Sequence, residues 1–203
     1  MKQNKPYVIG LTGGIACGKT HVAGALRAMG VPVLDADAIS RSLTAEGGEA
    51  LPKIRETFGG QVFEGEKLER RALGEIVFQD AQARAALEAI IHPLVIARMQ
   101  RETQESQALI VGWDVPLLYE CGMDQLCDEV WCVYVSPREQ LRRLMRRDHL
   151  TRGQAMARIQ AQQPLDEKKR RADHLIDTGG NLRGTHARVR GLLRDLQRRL
   201  HFD

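Results

Sequence analysis

Short apolar runs alternate with an amphipathic stretch near the start of the chain. Tyr7–Leu11 is a run of strand-forming residues, and a glycine-rich segment follows it. Residues 19–29 then carry apolar side chains at helical spacing, and Val31–Asp35 is a second apolar run. A strand, a loop, a helix and a strand in this order form the βαβ pattern, whose strands are parallel. The pattern therefore predicts an α/β fold built on a parallel sheet.

The middle of the chain, about 38–107, has a different pattern, with helical spacing and no clear strands. Helical segments are predicted around Leu51–Phe58, Arg71–Phe78 and 81–107. Pro93 is expected to kink or interrupt the last of them, because its ring removes a backbone donor. We interpret this block as a helical insertion on the sheet.

Strand-like runs return in the second half of the chain. Three of them predict strands: Ala108–Val111, Glu129–Val135 and His174–Asp177. Residues 138–147 and 151–163 are predicted helices, with Thr151 as an N-cap of the second. A final helix is predicted from apolar residues that share one face. These residues are Val189, Leu192, Leu193, Leu196 and Leu200.

The composition is that of a globular protein. A chain of 203 residues that is 43% hydrophobic and 28% charged suits one domain, or one domain carrying an insertion. No stretch approaches the roughly 20 apolar residues that a membrane span needs. The four cysteines form neither a CxxC pair nor a zinc-ligand pattern. We therefore expect a cytoplasmic protein with free thiols and no membrane contact.

One glycine-rich segment carries a specific chemical signal, because it matches the P-loop pattern GxxxxGK[ST] between a predicted strand and a predicted helix. In such a loop, backbone N–H groups turn inward and bind phosphates together with the helix N-terminus. Lys19 would reach the β- and γ-phosphate oxygens, and the Thr20 hydroxyl would serve Mg²⁺. The predicted nucleotide contacts in this loop are Gly13, Gly14, Ile15, Ala16, Cys17, Gly18, Lys19 and Thr20.

Three carboxylates follow predicted strands, and ligands of parallel sheets bind beyond the carboxyl ends of the strands. Asp35 and Asp37 come at the end of the second strand. One of them could take the proton of an acceptor hydroxyl, and one could cap the next helix. Asp114 follows another apolar run, where it could hold a water molecule on Mg²⁺ or serve as a turn or cap residue.

Positive charge is concentrated toward the carboxyl end. The net charge is +4, yet residues 138–203 hold 17 Lys and Arg against 8 Asp and Glu. This asymmetry indicates a polyanionic partner. Because aromatic residues make up only 4% of the chain, base stacking is disfavoured, and we interpret the partner as a nucleotide and not a nucleic acid. Arg143, Arg146 and Arg147 share a helix face, which could close over a phosphoryl group or simply be solvated.

Further short segments follow the P-loop in a fixed order, and together they span nearly the whole chain. They are Gly10–Ile15 with Gly18–Thr20, Asp35–Asp37, Phe58-Gly59, Arg71–Leu73, Val77-Phe78, Ile91–Pro93, Asp114–Leu118 with Glu120, Gln140-Leu141, Arg143-Leu144, Arg147-Asp148, Arg158-Ile159, Gln162, Lys168, Ala172-Asp173 and Ile176-Asp177. No segment after the P-loop is specific by itself, but the ordered set is. In this order the segments resemble the dephospho-CoA kinases of the P-loop kinase superfamily.

The resemblance implies a single P-loop kinase domain over residues 1–203, with a three-layer α/β/α fold around a parallel sheet. The implied parts are a core of about 1–37, 108–137 and 172–203, a helical acceptor-binding insertion of about 38–107, and a helical lid of about 138–171. The implied reaction moves the γ-phosphate of ATP, with Mg²⁺, onto the ribose 3′-hydroxyl of dephospho-CoA, the last step of coenzyme A synthesis. A monomer is our default expectation.

Carried over residue by residue, the resemblance implies catalytic roles for Lys19, Asp37 and Arg143. Lys19 and Thr20 would serve the phosphates and Mg²⁺, and Asp37 would act as the base or orienting group for the 3′-hydroxyl. Arg143 and Arg147 would belong to a lid over ATP. The residues implied in acceptor binding are Asp35, Asp37, His92 and Asp114.

The chain departs from the family pattern inside the loop, where Ala16 and Cys17 stand in place of a common Gly-Ser pair. Ala16 carries a Cβ, so we expect its φ to be negative. Cys17 would lie in the positive field of Lys19 and a helix N-terminus, which lowers a thiol pKa. We therefore expect a reactive Cys17 that ATP shields. Residues 178–180 replace an Asn-containing turn near the implied adenine site.

Two other enzyme classes share parts of this pattern. Another nucleoside or nucleotide kinase would have the same loop, acidic pair and lid, and the helical insertion with its motifs is what favours dephospho-CoA. A P-loop GTPase would carry a guanine-reading NKxD tetrapeptide, whereas Asn4-Lys5 is followed here by Pro6-Tyr7. The kinase of a small-molecule hydroxyl is therefore the leading prediction.

Overall fold

The computed structural model describes residues 5–200, and its centre is a five-stranded sheet in the order β2-β5-β1-β6-β7. A separate two-stranded hairpin pairs β3 with β4. The strands are β1 (Tyr7–Gly13), β2 (Val33–Asp35), β3 (Phe63–Glu64), β4 (Lys67–Leu68), β5 (Ile110–Asp114), β6 (Glu129–Tyr134) and β7 (His174–Asp177).

Helices fill most of the remaining chain. They are α1 (Lys19–Ala28), α2 (Ala36–Leu43), α3 (Leu51–Phe58), α4 (Arg70–Gln79), α5 (Ala81–Glu105), α6 (Pro137–Asp148), α7 (Arg152–Gln160), α8 (Leu165–Arg171) and α9 (Leu182–Arg199). Short 3₁₀ turns cover Gly60–Val62 and Met123–Leu126. Within residues 5–200, no helix combines the length and the apolar character that a membrane crossing requires.

The central strand β1 sets the register of the sheet. It pairs in parallel with β5, where Leu11 lies opposite Asp114, and with β6, where Gly13 lies opposite Val133. β6 also pairs in parallel with β7. The predicted parallel sheet is confirmed, and parallel pairing brings the carboxyl ends of β1 and β5 to one edge.

The two faces of β1 are covered differently, because successive side chains of a strand point to opposite sides. Ile9 and Leu11 lie in a buried cluster with residues of α1 and α9, including the predicted apolar face of α9. Thr12 points the other way, and its hydroxyl donates to the Pro116 carbonyl at 3.2 Å. Helix α8 contacts β1 and β6. Helices and loops thus pack on both sides of the sheet, as an α/β/α arrangement requires.

The described chain divides into two compact units. One contains the residues up to Leu34 and from Ser106 onward, which hold the P-loop and most of the sheet. The other is Asp35–Glu105, in which α5 packs against α2, α3 and α4.

The expected lack of strands in the middle segment was wrong, and so was an interruption at Pro93, whereas a kink at Pro93 stays a prediction. The segment contains strands after all, because Phe63–Glu64 pairs antiparallel with Lys67–Leu68 across a tight turn that has Gly65 at φ 60°. Two-residue strands are too short to show an alternating pattern. Pro93 does not interrupt α5, which continues to Glu105. The packing of α5 against neighbouring helices compensates for the single backbone donor that proline removes.

The predicted lid segment contains three helices, where two were predicted. Helix α7 ends at Gln160, and a further helix, α8, begins at Leu165 after Pro164. The sequence gives α8 little periodic signal, because Lys168 is its one buried residue. The predicted cap at Thr151 is confirmed: its hydroxyl accepts from the Gln154 N–H, and the Thr151 N–H donates to Gln154 Oε1 at 2.9 Å.

We expect Thr151→Ala to lower the free energy of unfolding by about 1 kcal/mol, because a backbone donor of α7 loses its acceptor. Thr151→Ser keeps the hydroxyl and should remain close to the unchanged protein. Urea denaturation of the three proteins measures the difference. Equal midpoints for the Ala and Ser variants would contradict the capping role.

Candidate active site

The P-loop lies between the end of β1 at Gly13 and the start of α1 at Lys19. A Cβ at Gly13 would lie 2.4 Å from the Val133 carbonyl oxygen, so no side chain fits there. Gly18 caps α1 with φ 87°, a left-handed conformation that glycine adopts without strain. The first and last glycines of the motif are therefore required by close approach and by backbone conformation, respectively.

The loop backbone forms a tight turn that leads into the N-terminus of α1. The Cys17 N–H donates to the Gly14 carbonyl at 3.1 Å, which closes the loop as a tight turn. Lys19 and Thr20 begin α1, and the first N–H groups of a helix have no earlier turn to bond to. Thr20 is exposed. The positive end of the helix dipole and these donors together make a phosphate cradle.

Ala16 does not have the negative φ that was expected. Its φ is 60°, which places an alanine in the left-handed region. The contact of its Cβ with the backbone costs about 1–2 kcal/mol in this conformation. The loop therefore keeps the shape that a glycine would adopt, and the alanine is strained within it.

Cys17 was expected to have a lowered pKa and a reactive thiol, and the structure contradicts this. Its side chain is 1% exposed and belongs to the hydrophobic core between the sheet and α1. Burial raises the pKa of the thiol and outweighs the hydrogen bonds and nearby Arg143 that lower it. Because a thiolate is the reactive form, the buried Cys17 thiol is a packed core group and not a reactive one.

Lys19 and Asp114 form an ion pair at the carboxyl edge of the sheet. The Lys19 ammonium group bonds the Asp114 carboxylate, and the two side chains are 17% and 9% exposed. Asp114 reaches this position because it ends β5, in register with Leu11 of β1. The P-loop lysine is thus held beside its loop by a carboxylate from the adjacent strand.

Two residues of the P-loop and the adjacent strand carry oxygen atoms of the kind that binds Mg²⁺. The exposed Thr20 hydroxyl and the Asp114 carboxylate are the hard oxygen ligands that Mg²⁺ prefers. Among residues 5–200, no three His, Cys, Asp or Glu side chains form a metal cluster. A cluster is not needed, since Mg²⁺ commonly binds through one or two protein oxygens, phosphate oxygens and water.

Arg143 is brought to the P-loop through Thr178. Its guanidinium donates to the Thr178 hydroxyl at 3.2 Å and to the Thr178 carbonyl at 2.8 Å. The Thr178 hydroxyl in turn donates to the Cys17 carbonyl at 2.5 Å. Glu139 accepts from Arg143 at 2.6 Å, and hydrogen bonds from Arg142 and Arg143 lower the pKa of Glu139 to about 2. Arg143 therefore sits against the loop in a network of fixed partners.

Arg147 has different surroundings. Its guanidinium donates to the carboxylate of the adjacent Asp148 at 2.7 and 3.1 Å, and its side chain is 55% exposed. Arg158 also donates to Asp148, at 2.8 Å. The contact of Arg158 with Asp148 thus joins α7 to α6, whereas Arg147 bonds a neighbour on its own helix. The predicted nucleotide contact of Arg147 stays a prediction.

The other predicted site residues lie in the Asp35–Glu105 unit. Asp35 caps α2 by accepting from the Ala38 N–H at 2.9 Å. Asp37 is exposed in the first turn of the same helix. His92 is half-buried on α5. Asp35 is therefore the carboxylate that caps the helix, a role that the sequence pattern left open between Asp35 and Asp37.

A cavity of about 200 Å³ lies within the same unit, between α2, α4 and α5. Its walls are mostly apolar, with hydroxyl groups and one guanidinium at the polar positions. The lining residues are Ser40, Thr44, Leu68, Arg70, Leu73, Gly74, Val77, Leu87 and Ile91. No pattern in the sequence predicted this cavity, because its walls come from separate helices.

Two glutamines contact the P-loop, and their site role was also missed. Gln140 on α6 donates to the Ile15 carbonyl at 3.0 Å, and the Ile15 N–H donates to Gln162 Oε1 at 2.9 Å. Both belong to the ordered segments that carry the resemblance. A glutamine by itself does not indicate a functional site in a sequence. The place of these two glutamines among the ordered segments was the only indication of their role.

A P-loop between a parallel β-strand and a helix, with an acidic residue ending the adjacent strand, defines the class of P-loop kinases and related nucleotide-binding enzymes. Solved structures agree. A protein of Thermus thermophilus is 34% identical with a TM-score of 0.83, over 95% of this chain and 99% of that one. A dephospho-CoA kinase of Campylobacter jejuni is 26% identical with a TM-score of 0.72, over 94% and 97%. A shikimate kinase of Acinetobacter baumannii, 16% identical with a TM-score of 0.55 over 96% and 94%, shares the fold alone.

The chain belongs to the dephospho-CoA kinase family, whose model matches residues 7–183. A dephospho-CoA kinase of Bacillus licheniformis is 46% identical over 92% of this chain and 94% of its own length. One of Symbiobacterium thermophilum is 48% identical over 90% and 78%. The predicted enzyme class, ATP-dependent phosphorylation of dephospho-CoA with Mg²⁺, is confirmed at the level of the family.

The strain at Ala16 can be measured with a matched pair of variants. Ala16→Gly removes the strain of a left-handed alanine. It also raises the entropy of the unfolded chain, which lowers stability by about 0.4–1 kcal/mol. We therefore expect the free energy of unfolding to stay the same or to rise slightly. Ala187→Gly, at an exposed position inside α9, should lose about 1 kcal/mol. Urea denaturation gives both values, and equal losses would show that Ala16 is unstrained.

Proposed function

We propose that this dephospho-CoA kinase binds ATP in the loop Gly13–Thr20 and phosphorylates an acceptor that is held by the Asp35–Glu105 unit. The observation that carries the donor side is the Lys19–Asp114 pair at the carboxyl edge of β1 and β5. It places one ammonium group and one carboxylate beside the only P-loop match in the sequence. This is the constellation that phosphoryl transfer requires on the donor side.

The residues on the donor side have different roles, according to their charge. Backbone N–H groups of the loop and the α1 N-terminus bind the phosphate oxygens, and Lys19 exchanges its contact with Asp114 for the β- and γ-phosphates. Thr20 and Asp114 would hold Mg²⁺, which neutralises phosphate charge when bound. Arg143, anchored to Thr178, adds positive charge next to the loop. These contacts stabilise charge that spreads over the γ-phosphoryl group in the transition state.

On the acceptor side, Asp37 orients the ribose 3′-hydroxyl and takes its proton. The hydroxyl oxygen forms a bond to the γ-phosphorus while the bond from that phosphorus to the oxygen bridging it to the β-phosphate breaks, and ADP leaves. Asp35 supports this step indirectly, because it caps the helix that carries Asp37. A carboxylate in the first turn of a helix is also favoured by the helix dipole.

The cavity in the Asp35–Glu105 unit supports an acceptor role for that unit. Dephospho-CoA combines a diphosphate with a long, weakly polar pantetheine arm. Apolar walls such as Leu73 and Ile91 suit the arm, and the Arg70 guanidinium offers a positive charge to the diphosphate. His92 follows Ile91 on α5 but is not one of the residues that line the cavity, so its place in the acceptor wall stays a prediction.

The remaining features of the proposal concern the molecule as a whole. The lid is α6 to α8, with Arg147 facing the nucleotide when ATP is bound. The partners are ATP and dephospho-CoA, the protein acts as a monomer in the cytoplasm, and neither nucleic acid nor membrane is a partner. The concentration of positive charge in residues 138–203 serves phosphate groups and solvated helix surface.

A substrate panel tests the function. Purified protein with Mg–ATP is offered dephospho-CoA, adenosine or nucleoside monophosphates, and ADP release is measured together with the mass of the product. We expect phosphorylation of dephospho-CoA alone, with a mass gain of one phosphate. Turnover of a nucleoside or nucleotide without turnover of dephospho-CoA would instead support the alternative of another P-loop kinase.

The division of work between the two carboxylates gives a sharper prediction. Asp37→Asn removes the proton acceptor and should lower kcat about 10²–10⁴-fold, with a small change in the KM for dephospho-CoA. Asp35→Asn keeps a capping oxygen, because Asn caps helices as well as Asp, and should change kcat less than about threefold. Steady-state kinetics of both variants decide the assignment. Equal losses of kcat, or a loss only at Asp35, would contradict it.

A further inference from the structure

The Ile15 backbone in the P-loop is held by side chains from two separate parts of the predicted lid. Gln140, on α6 and 4% exposed, donates its amide to the Ile15 carbonyl at 3.0 Å. Gln162, in the linker between α7 and α8, accepts from the Ile15 N–H at 2.9 Å. The Ile15 N–H therefore donates to a side chain, although neighbouring loop amides are the ones that bind phosphate in a P-loop.

These two hydrogen bonds fix the orientation of two successive peptide planes. In a trans peptide the C=O and the following N–H point in opposite directions. Because the Ile15 carbonyl points to Gln140, the Ala16 N–H points away from Gln140. Ala16 itself is held at φ 60° immediately after these planes. The direction of the Ala16 amide thus depends on Gln140, and that of the Ile15 amide depends on Gln162.

The linker that carries Gln162 is itself anchored at the neighbouring end of β5. Lys168 is completely buried, pairs with Glu120 at 2.7 Å and donates to the Pro116 carbonyl at 3.0 Å. Glu120 also accepts from the Gln163 N–H at 3.3 Å. A buried ammonium group is tolerated only with such compensation, so its partners are held in place.

The Pro116 carbonyl connects this anchor with the strand that enters the P-loop. It accepts from Lys168 and from the Thr12 hydroxyl on β1, one residue before Gly13. Pro116 also follows Asp114 by two residues, and Asp114 holds Lys19. The buried Lys168 is therefore connected to the linker, to the end of β1 and to the segment that follows Asp114.

We propose that Gln162 is a positioning residue that aligns the P-loop for ATP, and that the buried Lys168–Glu120 pair sets its position. The linker between α7 and α8 and the P-loop then move together. Displacement of α7 and α8 breaks the hydrogen bond between the Ile15 N–H and Gln162. This inference rests on the proposed function for its kinetic readout. Its structural readout, hydrogen exchange of the Ile15 amide, does not depend on the proposed function.

The first experiment compares Gln162→Met with Gln160→Met, a matched substitution at an exposed residue that ends α7. Methionine keeps the length of glutamine but removes the acceptor. We expect the KM for ATP to rise about tenfold in Gln162→Met, as for the loss of one partly buried hydrogen bond. The KM for dephospho-CoA should stay within twofold. Gln160→Met should match the unchanged protein.

Hydrogen exchange of the Ile15 amide provides the readout that is independent of activity. The amide should be protected in the unchanged protein and in Gln160→Met, and should lose protection in Gln162→Met. Unaltered protection, or an equal rise of both KM values, would overturn the positioning role. If the unchanged protein fails to phosphorylate dephospho-CoA, the proposed function fails, while Ile15 exchange and equilibrium binding of ATP still decide the role of Gln162.

A double-mutant cycle tests the anchor. Lys168→Met should raise the KM for ATP and expose the Ile15 amide when Gln162 is present, and should add no further change in a Gln162→Met background. Additive effects would show that Lys168 acts only on general stability and would overturn this part of the proposal. If Lys168→Met does not fold, Glu120→Gln serves in the same cycle, because it keeps the shape and weakens the pair.

Discussion

The ion pair of Lys19 and Asp114 is the interaction on which the site depends. Two largely buried charges of opposite sign must lie together, because either one alone would carry a large desolvation cost. Parallel pairing of β1 and β5, with Leu11 opposite Asp114, makes this possible. The sheet register therefore determines where the P-loop lysine lies. In the proposed mechanism, the same carboxylate would bind Mg²⁺ once the lysine contacts phosphate.

The loop around this pair is held in its binding shape by distant side chains. Ala16 occupies a left-handed conformation that it would not adopt alone. Gln140 and Gln162 hold the preceding peptides, and Thr178 holds the Cys17 carbonyl. A phosphate site that is formed before binding loses less conformational entropy when ATP binds. The strained alanine is consistent with a loop whose shape is imposed from outside.

The sequence allowed the sheet, the P-loop and the lysine to be predicted, because each rests on local patterns. The apolar runs located the strands of the central sheet, and the motif placed Lys19 at the start of α1. Burial was harder to predict. Cys17 has the sequence neighbours of a reactive thiol but is buried in the core, and no sequence motif shows whether a side chain is buried. Short elements such as α8 and the β3–β4 hairpin carry too few residues for a periodic signal.

Contacts between residues far apart in the sequence were the least predictable part of the site. Ile15 and Gln162 are 147 positions apart, and no spacing rule connects them. Which of Asp35 and Asp37 caps the next helix was likewise visible only in the structure, where Asp35 caps α2. Resemblance to a family identified the chemistry, whereas coordinates were needed to show which side chains hold the loop.

The central claim is that Lys19, released from Asp114, stabilises the transferring phosphoryl group. The most direct measurement is the kcat/KM of Lys19→Met with Mg–ATP and dephospho-CoA, with circular dichroism to verify the fold. Loss of one transition-state contact to developing charge predicts a fall of at least about 100-fold with the fold retained. A folded Lys19→Met protein with turnover near that of the unchanged enzyme would contradict the claim.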